Sequence, residues 1–388
     1  MLNIYIVYRA MFDNKGNMHT IGGIENYLLN LCAIFNSQGW HCHIVQPAKK
    51  AFSLTQPNFT LHGVTTGLYR GNLKKYALAN WVRKQIDCEN SNQNRNNAIV
   101  IFATDSYSVK MVNYNSLAIQ HGVSWDKPTN STQPLSQFFF SLIKQYKYLS
   151  HIKADSRLVC VDHNFVNWYR TWFNTAGQDI KVIYNFYNNK ISESEFAEKW
   201  SDTKSITNII IARRFVDYRG IKLIAPIIKQ LLPEYNVQVT FAGDGPLKPY
   251  LSEMFSQHPQ VKLIEYGVDD SFNVHKNQHI AIIPTLGSEG TSLSMIEAMA
   301  AGCLVISSNV GGLSNIIING FNGRLLMPNG QQFSQALTAS LNNPEQSKAM
   351  AYNGLKSIEH ACSKENWTRQ WLDTIKALGM KCKTISSD

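Results

Sequence analysis

The sequence predicts an α/β protein made of two Rossmann-like, doubly wound domains. The chain has 388 residues, which is more than one hydrophobic core usually supports. Hydrophobic residues make up 44% of it and charged residues 16%, a balance typical of globular proteins. Short apolar runs alternate with segments of helical periodicity on both sides of a polar, acidic stretch that ends near residue 205. Two units of the same class are therefore expected.

The first fifty residues predict a βαβ unit. An apolar strand, Leu2–Tyr8, is followed by a loop that ends in Gly22-Gly23, and a second strand begins at His41. Between them, spacings of four, three and four residues mark one face of a helix: Ile24, Leu28, Leu31 and Phe35. Further strands are expected at 98–103, 116–120, 158–161 and 181–184. These elements define an N-terminal domain over residues 1–185.

The alternation of strand and helix resumes beyond residue 205. Strands are expected at 208–212, 237–242, 261–266, 280–284 and 303–307, and helices at 221–232, 247–256 and 292–301. We assign residues 186–362 to this second domain. A last amphipathic segment carries Trp367 and Trp371 one turn apart. Residues 363–388 are therefore expected to form a helix that packs back on the N-terminal domain.

The positive charge lies in the N-terminal half. The formal net charge is +10, and residues 1–190 carry 19 Lys and Arg against 9 Asp and Glu, whereas the rest carries 18 of each kind. This asymmetry favours an anionic partner such as a membrane surface, a lipid diphosphate or a nucleic acid. No helix-turn-helix, zinc-finger or RNA-binding aromatic motif is present, so a nucleic-acid partner is not expected.

The cysteines and the apolar runs indicate the cellular compartment of the protein. Seven cysteines are scattered without a Cys-x-x-Cys pair, which indicates neither a disulfide framework nor a zinc site. No apolar run approaches the roughly 18 residues that cross a bilayer. The first residues lack the basic, apolar and cleavage segments of a signal peptide. We expect a cytoplasmic protein, with peripheral contact to the inner face of a membrane as an option.

The most informative stretch runs from Pro284 to Gly302. A buried strand ends at Pro284, and a loop of small residues leads to a helix that opens near Ser292. The free amides at a helix start form an anion site that suits a phosphate. Glu289 and Glu297 flank this site with seven residues between them, and such carboxylates suit sugar hydroxyls better than a metal ion. The alternative is an exposed loop glutamate and a helix-surface glutamate without function.

A second cluster of charge follows the strand at 208–212. Ligands of doubly wound sheets lie at the carboxyl ends of the strands. Arg214 and Arg219 are therefore placed to clamp a diphosphate, where each contact at about 4 Å is worth roughly 4 kcal/mol at an effective dielectric of 20. The turn around Gly243 follows the next strand. Two surface arginines in ion pairs are the alternative interpretation.

Together these motifs resemble the donor domain of glycosyltransferase family 4. The resemblance rests on Arg-x4-Arg-Gly, Gly-Asp-Gly-Pro and Glu-x7-Glu followed by Ala-Met-Ala. It extends through Gly311-Gly312 and Asn319–Gly323, and in the N-terminal half through Gly22-Gly23 and Gln120-His121-Gly122. It implies the GT-B fold, in which two Rossmann-like domains face a central cleft, and a retaining, metal-independent transferase.

The resemblance also assigns roles by position. Arg214 and Arg219 would bind the diphosphate. Glu297 would hold the ribose and Glu289 the transferred sugar. The catalytic set would be Glu289, His121, Arg214 and Arg219. The donor-binding set would be Gly22, Gly23, Arg214, Arg219, Gly243, Gly290, Thr291, Ser292, Leu293 and Glu297. His121 would contact the sugar or the developing charge, although a lone histidine is more often structural.

The implied reaction moves a hexose or related sugar from a UDP- or GDP-sugar to a hydroxyl of a glycan or lipid-linked acceptor, in bacterial surface polysaccharide or glycoconjugate assembly. The N-terminal domain would hold the acceptor. No cofactor or metal is expected, because the chain contains no Asp-x-Asp motif and arginines with helix amides can stabilise a leaving diphosphate. We expect front-face departure and attack, with the leaving phosphate taking the acceptor proton.

Two basic stretches with interleaved aromatic residues, 69–84 and 138–153, offer a location for a membrane contact. Ordinary solvated helix faces are the alternative. Competing functions are a nucleotide-sugar epimerase of the same fold, a glycogen-type phosphorylase, and a basic non-enzymatic protein that binds a nucleic acid or a membrane surface. A Rossmann dehydrogenase is disfavoured, because Gly22-Gly23 lacks the expected glycine spacing.

Overall fold

A computed structural model shows two parallel-dominated sheets, each covered by helices. It describes residues 2–18, 22–88, 97–123, 157–173, 180–201, 206–267, 270–287 and 289–385, with eight further positions between 135 and 146. The predicted fold class is confirmed.

The N-terminal sheet has eight strands in the order β3-β4-β2-β1-β5-β6-β7-β8. All neighbouring pairs are parallel except the antiparallel pair β3 and β4. The strands are β1 Asn3–Val7, β2 His41–Ala48, β3 Phe52–Gln56, β4 Phe59–Thr65, β5 Ala98–Phe102, β6 Asn115–Gln120, β7 Leu158–Cys160 and β8 Ile180–Val182. The carboxyl ends of the parallel strands share one edge, where the chain places its functional loops.

Helices around this sheet include α1 Gly23–Asn36, α2 Lys74–Cys88 and α3 His163–Phe173. The apolar face predicted for α1 is buried, with Leu28, Leu31 and Phe35 fully enclosed. The helix thus covers one face of the sheet.

The C-terminal sheet has six parallel strands in the order β11-β10-β9-β12-β13-β14. They are β9 Thr207–Ala212, β10 Val237–Ala242, β11 Val261–Ile264, β12 Ile280–Ile283, β13 Leu304–Ser308 and β14 Arg324–Leu326. Its helices are α4 Glu193–Lys199, α5 Ile221–Leu231, α6 Lys248–Met254, α7 Ser271–Lys276, α8 Leu293–Ala300, α9 Gly330–Asn342 and α10 Pro344–Ala361. Strands β9 and β12 are adjacent, so the loops that follow them emerge side by side.

The last helix, α11 (Lys364–Ile385), packs on the N-terminal domain. Trp367 and Trp371 are fully buried, and the indole of Trp371 donates a hydrogen bond of 2.7 Å to the Tyr27 hydroxyl. The chain therefore crosses from one domain to the other twice, once after β8 and once before α11. At that crossing Tyr187 pairs with Ser363, and the Tyr187 amide donates to the Cys362 carbonyl at 3.1 Å. The exact domain boundaries of 185 and 362 stay a prediction.

Candidate functional site

The loop between β12 and α8 lies between the two domains. Glu289, Thr291 and Ser292 are all buried within it. The Thr291 hydroxyl donates to the carbonyl of Val161 in the N-terminal domain, and the Asn185 side-chain amide donates to the Thr291 carbonyl at 2.5 Å. The small residues of this loop are thus used in close contacts across the cleft.

Helix α8 begins in this cleft. Ser292 is its N-cap residue, with extended backbone angles. The amides of the first helical turn lack intrahelical partners and carry the positive end of the helix dipole. Gly23, at the start of α1, faces the same point: a Cβ added there would lie 3.1 Å from the Leu293 side chain. The predicted glycine pair and the predicted phosphate cradle are therefore neighbours.

A buried cluster of charge adjoins the start of α8. Glu289 Oε2 accepts hydrogen bonds from the guanidinium groups of both Arg213 and Arg219. The Thr285 hydroxyl lies 3.2 Å from the same oxygen. Arg213 also donates to Thr285 Oγ1 at 2.6 Å and to Ser292 Oγ at 3.1 Å. Two cations, one carboxylate and a helix start thus converge, an arrangement that attracts an anion.

Arg213, which sequence reasoning passed over, is the arginine that joins Arg219 at Glu289. Arg214 is exposed, whereas Arg213 is buried. The pKa of the Arg213 guanidinium is lowered by desolvation, which the nearby Glu289 carboxylate opposes. The role of Arg214 as a diphosphate ligand stays a prediction. In the sequence, the only sign of Arg213 is that a second basic residue stands beside Arg214 at the end of β9.

Glu297 lies further along α8. Burial raises the pKa of its carboxyl, and a hydrogen bond of 2.5 Å from the Ser271 hydroxyl opposes that shift. Tyr266 lies close enough for the Glu297 charge to contribute, after burial, to raising the tyrosine pKa to about 12. Ser271 and Tyr266 were not among the predicted residues. They bring two hydroxyls and an aromatic ring to the carboxylate that the resemblance assigns to the ribose.

His121 follows β6 on the N-terminal side of the cleft. Its Nε2 lies 3.0 Å from the Ala103 carbonyl, so this nitrogen carries the proton. Burial lowers the pKa of His121 to about 4, which leaves the ring neutral at pH 7. The Tyr27 ring packs against it edge-on at 5.3 Å between centroids. The carbonyl of His121 approaches Gly290, where an added Cβ would lie 2.9 Å from it.

Two glycines let the domains meet at this point. Gly122 has a φ of +117°, and a Cβ there would lie 2.9 Å from the Gly290 nitrogen. Only glycine combines that backbone conformation with so close an approach. Gly243, the remaining predicted donor-binding residue, has a φ of +146° and adjoins the Arg213 carbonyl. It supports the end of β9 from the neighbouring strand.

Comparison with known proteins finds a family match for the C-terminal domain. Residues 192–357 match the family model described as glycosyl transferases group 1. An uncharacterized glycosyltransferase of Methanocaldococcus jannaschii is 30% identical over 168 residues, which cover 40% of this chain and 43% of that protein. The capsular polysaccharide biosynthesis glycosyltransferase CapM of Staphylococcus aureus is 25% identical over 158 residues, covering 39% and 41%. This chain thus aligns with less than half the length of these curated relatives.

Solved structures resemble the whole chain. Sucrose-phosphate synthase from Thermosynechococcus elongatus has a TM-score of 0.71 at 16% identity, over 97% of this chain and 99% of that one. Anabaena HepE, in complex with UDP-glucose, has a TM-score of 0.68 at 15% identity, over 97% and 100%.

The two sheets and their cleft have the GT-B fold, the class of two facing Rossmann-like domains. Within that fold, residues 192–357 of the C-terminal domain match the model of the group 1 glycosyl transferases.

Proposed function

We propose that this chain is a retaining, metal-independent glycosyltransferase that moves a sugar from a nucleoside-diphosphate sugar to an acceptor hydroxyl, in bacterial surface polysaccharide or glycoconjugate assembly. The observation that carries the proposal is the convergence of Arg213, Arg219 and the start of α8 on one point of the cleft. The UDP-glucose complex of Anabaena HepE supports a nucleotide sugar as donor, and the name of CapM supports the polysaccharide setting.

The chemistry follows from the charges around the loop. A leaving diphosphate gains negative charge in the transition state, and fixed cations and amides stabilise that charge without reorganising. Arg219 and the first amides of α8 supply this stabilisation. Glu297 holds the ribose hydroxyls, and Glu289 accepts from a hydroxyl of the transferred sugar. His121, being neutral, adds no positive charge that would compete for the leaving group.

The N-terminal domain supplies the acceptor side. Its strands β4 and β6 run parallel within one sheet, so the segments after them leave the cleft edge. After β4, Leu68 is 99% exposed and Leu73 56% exposed, with the exposed Arg70 between them. Beyond β6, exposed apolar side chains recur at Leu135, Phe140 and Ile143. Isolated exposed leucines are ordinary, but a series of them beside basic residues is not.

These side chains support a finer proposal, in which the N-terminal domain rests on an anionic membrane surface and draws its acceptor from it. Apolar side chains insert at the headgroup boundary while Lys and Arg attract anionic lipids. None of the helices in the described ranges has the length and apolar character that a bilayer-crossing segment needs. Of the second basic stretch, Lys144, Lys147, Tyr148 and Lys153 lie outside the described residues.

The donor assignment is tested by ligand binding and turnover. Thermal shift with UDP, GDP, ADP and CMP should reveal one preferred nucleotide, and hydrolysis of its sugar conjugates should reveal the donor. Arg219→Ala should raise the Kd for that nucleotide about tenfold or more, because a charge-assisted hydrogen bond contributes about 1.5–3 kcal/mol. Lys222→Ala is the matched control, since Lys222 is exposed and pairs with Asp217 instead.

Binding of none of these nucleotides to the wild-type chain would contradict the proposed donor. Equal losses in the two variants would remove Arg219 from the site.

A further inference from the structure

Arg213 is a buried cation that joins three separate pieces of the site. It directly follows β9, and its guanidinium bonds to Thr285 after β12, to Glu289 in the loop and to Ser292 at the start of α8. Its side chain is only 5% exposed. Acceptors bind both terminal nitrogens of this buried guanidinium, so its position is tightly fixed.

Glu289 is shared by two arginines of unequal exposure. The Arg219 side chain is 22% exposed and that of Arg213 is 5% exposed. Arg219 also lies 5.0 Å from the centroid of the Tyr218 ring, at the more accessible side of the cluster. An incoming anion can therefore reach Arg219 and not Arg213. With one carboxylate facing two guanidiniums, the cluster keeps one excess positive charge to receive it.

An arriving diphosphate competes with Glu289 for Arg219. If Arg219 turns to the diphosphate, a buried carboxylate loses one of its two cations, and only the Thr285 hydroxyl would remain with it if Arg213 were absent. A buried charge without a partner is strongly unfavourable. Without Arg213, the Glu289 carboxylate would then turn away from the site, so it would no longer face the transferred sugar even though Arg219 binds the diphosphate.

We propose that Arg213 is a positioning residue that holds Glu289 in place while Arg219 exchanges the Glu289 carboxylate for the diphosphate of the donor. The inference rests on the proposed function and deepens it. Arg213 touches neither diphosphate nor sugar. Its positive charge balances the negative charge of the Glu289 carboxylate and orients that carboxylate towards the transferred sugar. Through its hydrogen bond to Ser292, it also links Glu289 to the start of α8.

Two substitutions of Arg213 test the proposal. Arg213→Gln removes the charge, and Arg213→Lys keeps the charge without the planar fork that reaches three acceptors. We expect Arg213→Gln to lower kcat for donor hydrolysis about 100-fold while the Kd for UDP, or for the preferred nucleotide of the screen, changes less than threefold. The kcat of Arg213→Lys should be about tenfold higher than that of Arg213→Gln, and still below the wild-type value. Arg219→Gln should show the opposite pattern, with a Kd raised about tenfold or more.

A raised Kd in Arg213→Gln that equals the one in Arg219→Gln would overturn the proposal, because Arg213 would then bind phosphate directly. An unchanged kcat would overturn it as well. Circular dichroism and Tm report folding, and if Arg213→Gln does not fold, Arg213→Lys decides alone: wild-type kcat in that variant refutes the positioning role. A wild-type chain that binds no nucleotide refutes the proposed function before any variant is compared.

Discussion

At His121, burial sets the protonation state of the ring. The folded protein lowers the pKa of His121 to about 4, whereas an unfolded histidine titrates near 6.5. The ring is therefore neutral in the folded state over the whole range in which the unfolded chain takes up a proton. Nε2 of His121 donates its proton to the Ala103 carbonyl, so Nδ1 is the ring nitrogen that can accept a hydrogen bond.

The pKa of His121 predicts a loss of stability in acid. Because the unfolded state binds more protons below pH 6.5, the free energy of unfolding falls as the pH falls from 6.5 towards 4. By pH 5 the loss from this residue is about 2 kcal/mol relative to pH 8. His121→Gln keeps a donor for the Ala103 carbonyl and removes the titration, so urea unfolding at pH 8 and pH 5 should show a smaller difference for the variant. Equal differences for both proteins would contradict the assigned pKa.

The arginines show where residue-level prediction reached its limit. Glu289 and Arg219 were predicted at one site, and the structure brings them together. The partner at the end of β9 is Arg213 rather than Arg214, because strands buried on both faces give no alternation from which to read the direction of the next side chain. Which of two consecutive arginines turns inward depends on the neighbouring loop, which single-sequence reasoning does not supply.

At the scale of elements, the loops after β6 and β12 form the point of contact between the domains. Gly122 and Gly290 approach each other closely there, and hydrogen bonds hold the same region, including one of 2.8 Å from the His163 amide to the Asn315 side chain. The start of α3 is thereby joined to the C-terminal domain. The two domains are coupled here through backbone groups and short side chains.

Gly122→Ala should disturb this contact. The added Cβ would lie 2.9 Å from the Gly290 nitrogen, on a backbone with positive φ that alanine adopts at a cost of about 1–3 kcal/mol. We expect a lower Tm and a kcat reduced about tenfold or more. Gly39→Ala is the matched control, because Gly39 also has a positive φ of +72° but has open space around it. Its kcat should stay at the wild-type value, and similar losses in both variants would show that backbone strain alone explains the effect.

Long periodic elements were predictable and the edges of the sheets were not. Helix α1 and strands β9, β10 and β12 were placed within one or two residues, because a buried core imposes a clear apolar pattern on them. The hairpin of β3 and β4 escaped prediction, since its antiparallel strands are short and β3 alternates between half-buried and exposed positions. Strand β14 has only three residues and carries no periodicity to detect.

At the scale of the molecule, the excess positive charge and most of the exposed large apolar side chains among the described residues lie in the N-terminal domain. The whole excess of positive charge lies in residues 1–190, and the same half carries the exposed side chains of Leu68, Leu73 and Phe140. The second half is neutral and contains the cation cluster within its interior. The positive charge of the outer surface is therefore separate from that of the buried cluster.

The proposed membrane contact predicts salt-sensitive binding to vesicles. The chain should co-sediment with phosphatidylglycerol vesicles at low salt and much less at 1 M salt, where the screening length falls to about 3 Å. Changing Leu68 and Leu73 together to Ser should weaken binding about tenfold or more, since burial of a leucine side chain contributes about 1.5–3 kcal/mol. The matched control changes Ile318 and Phe321 to Ser, two exposed apolar residues of the C-terminal domain.

Binding that is equal for anionic and neutral vesicles would contradict the electrostatic part of this proposal. Absence of binding to anionic vesicles at low salt would contradict all of it.

The paired crossing at Tyr187 and Ser363 has a mechanical consequence. Two lengths of chain joined side by side act as a single pivot, about which the halves can swing but along which they cannot slide. Release of a spent nucleotide is then expected to begin with parting of Gly122 from Gly290, while the buried indoles of the last helix keep the pivot anchored. Under the proposed function, we expect the reverse motion to bring the two loops together again before the next turnover.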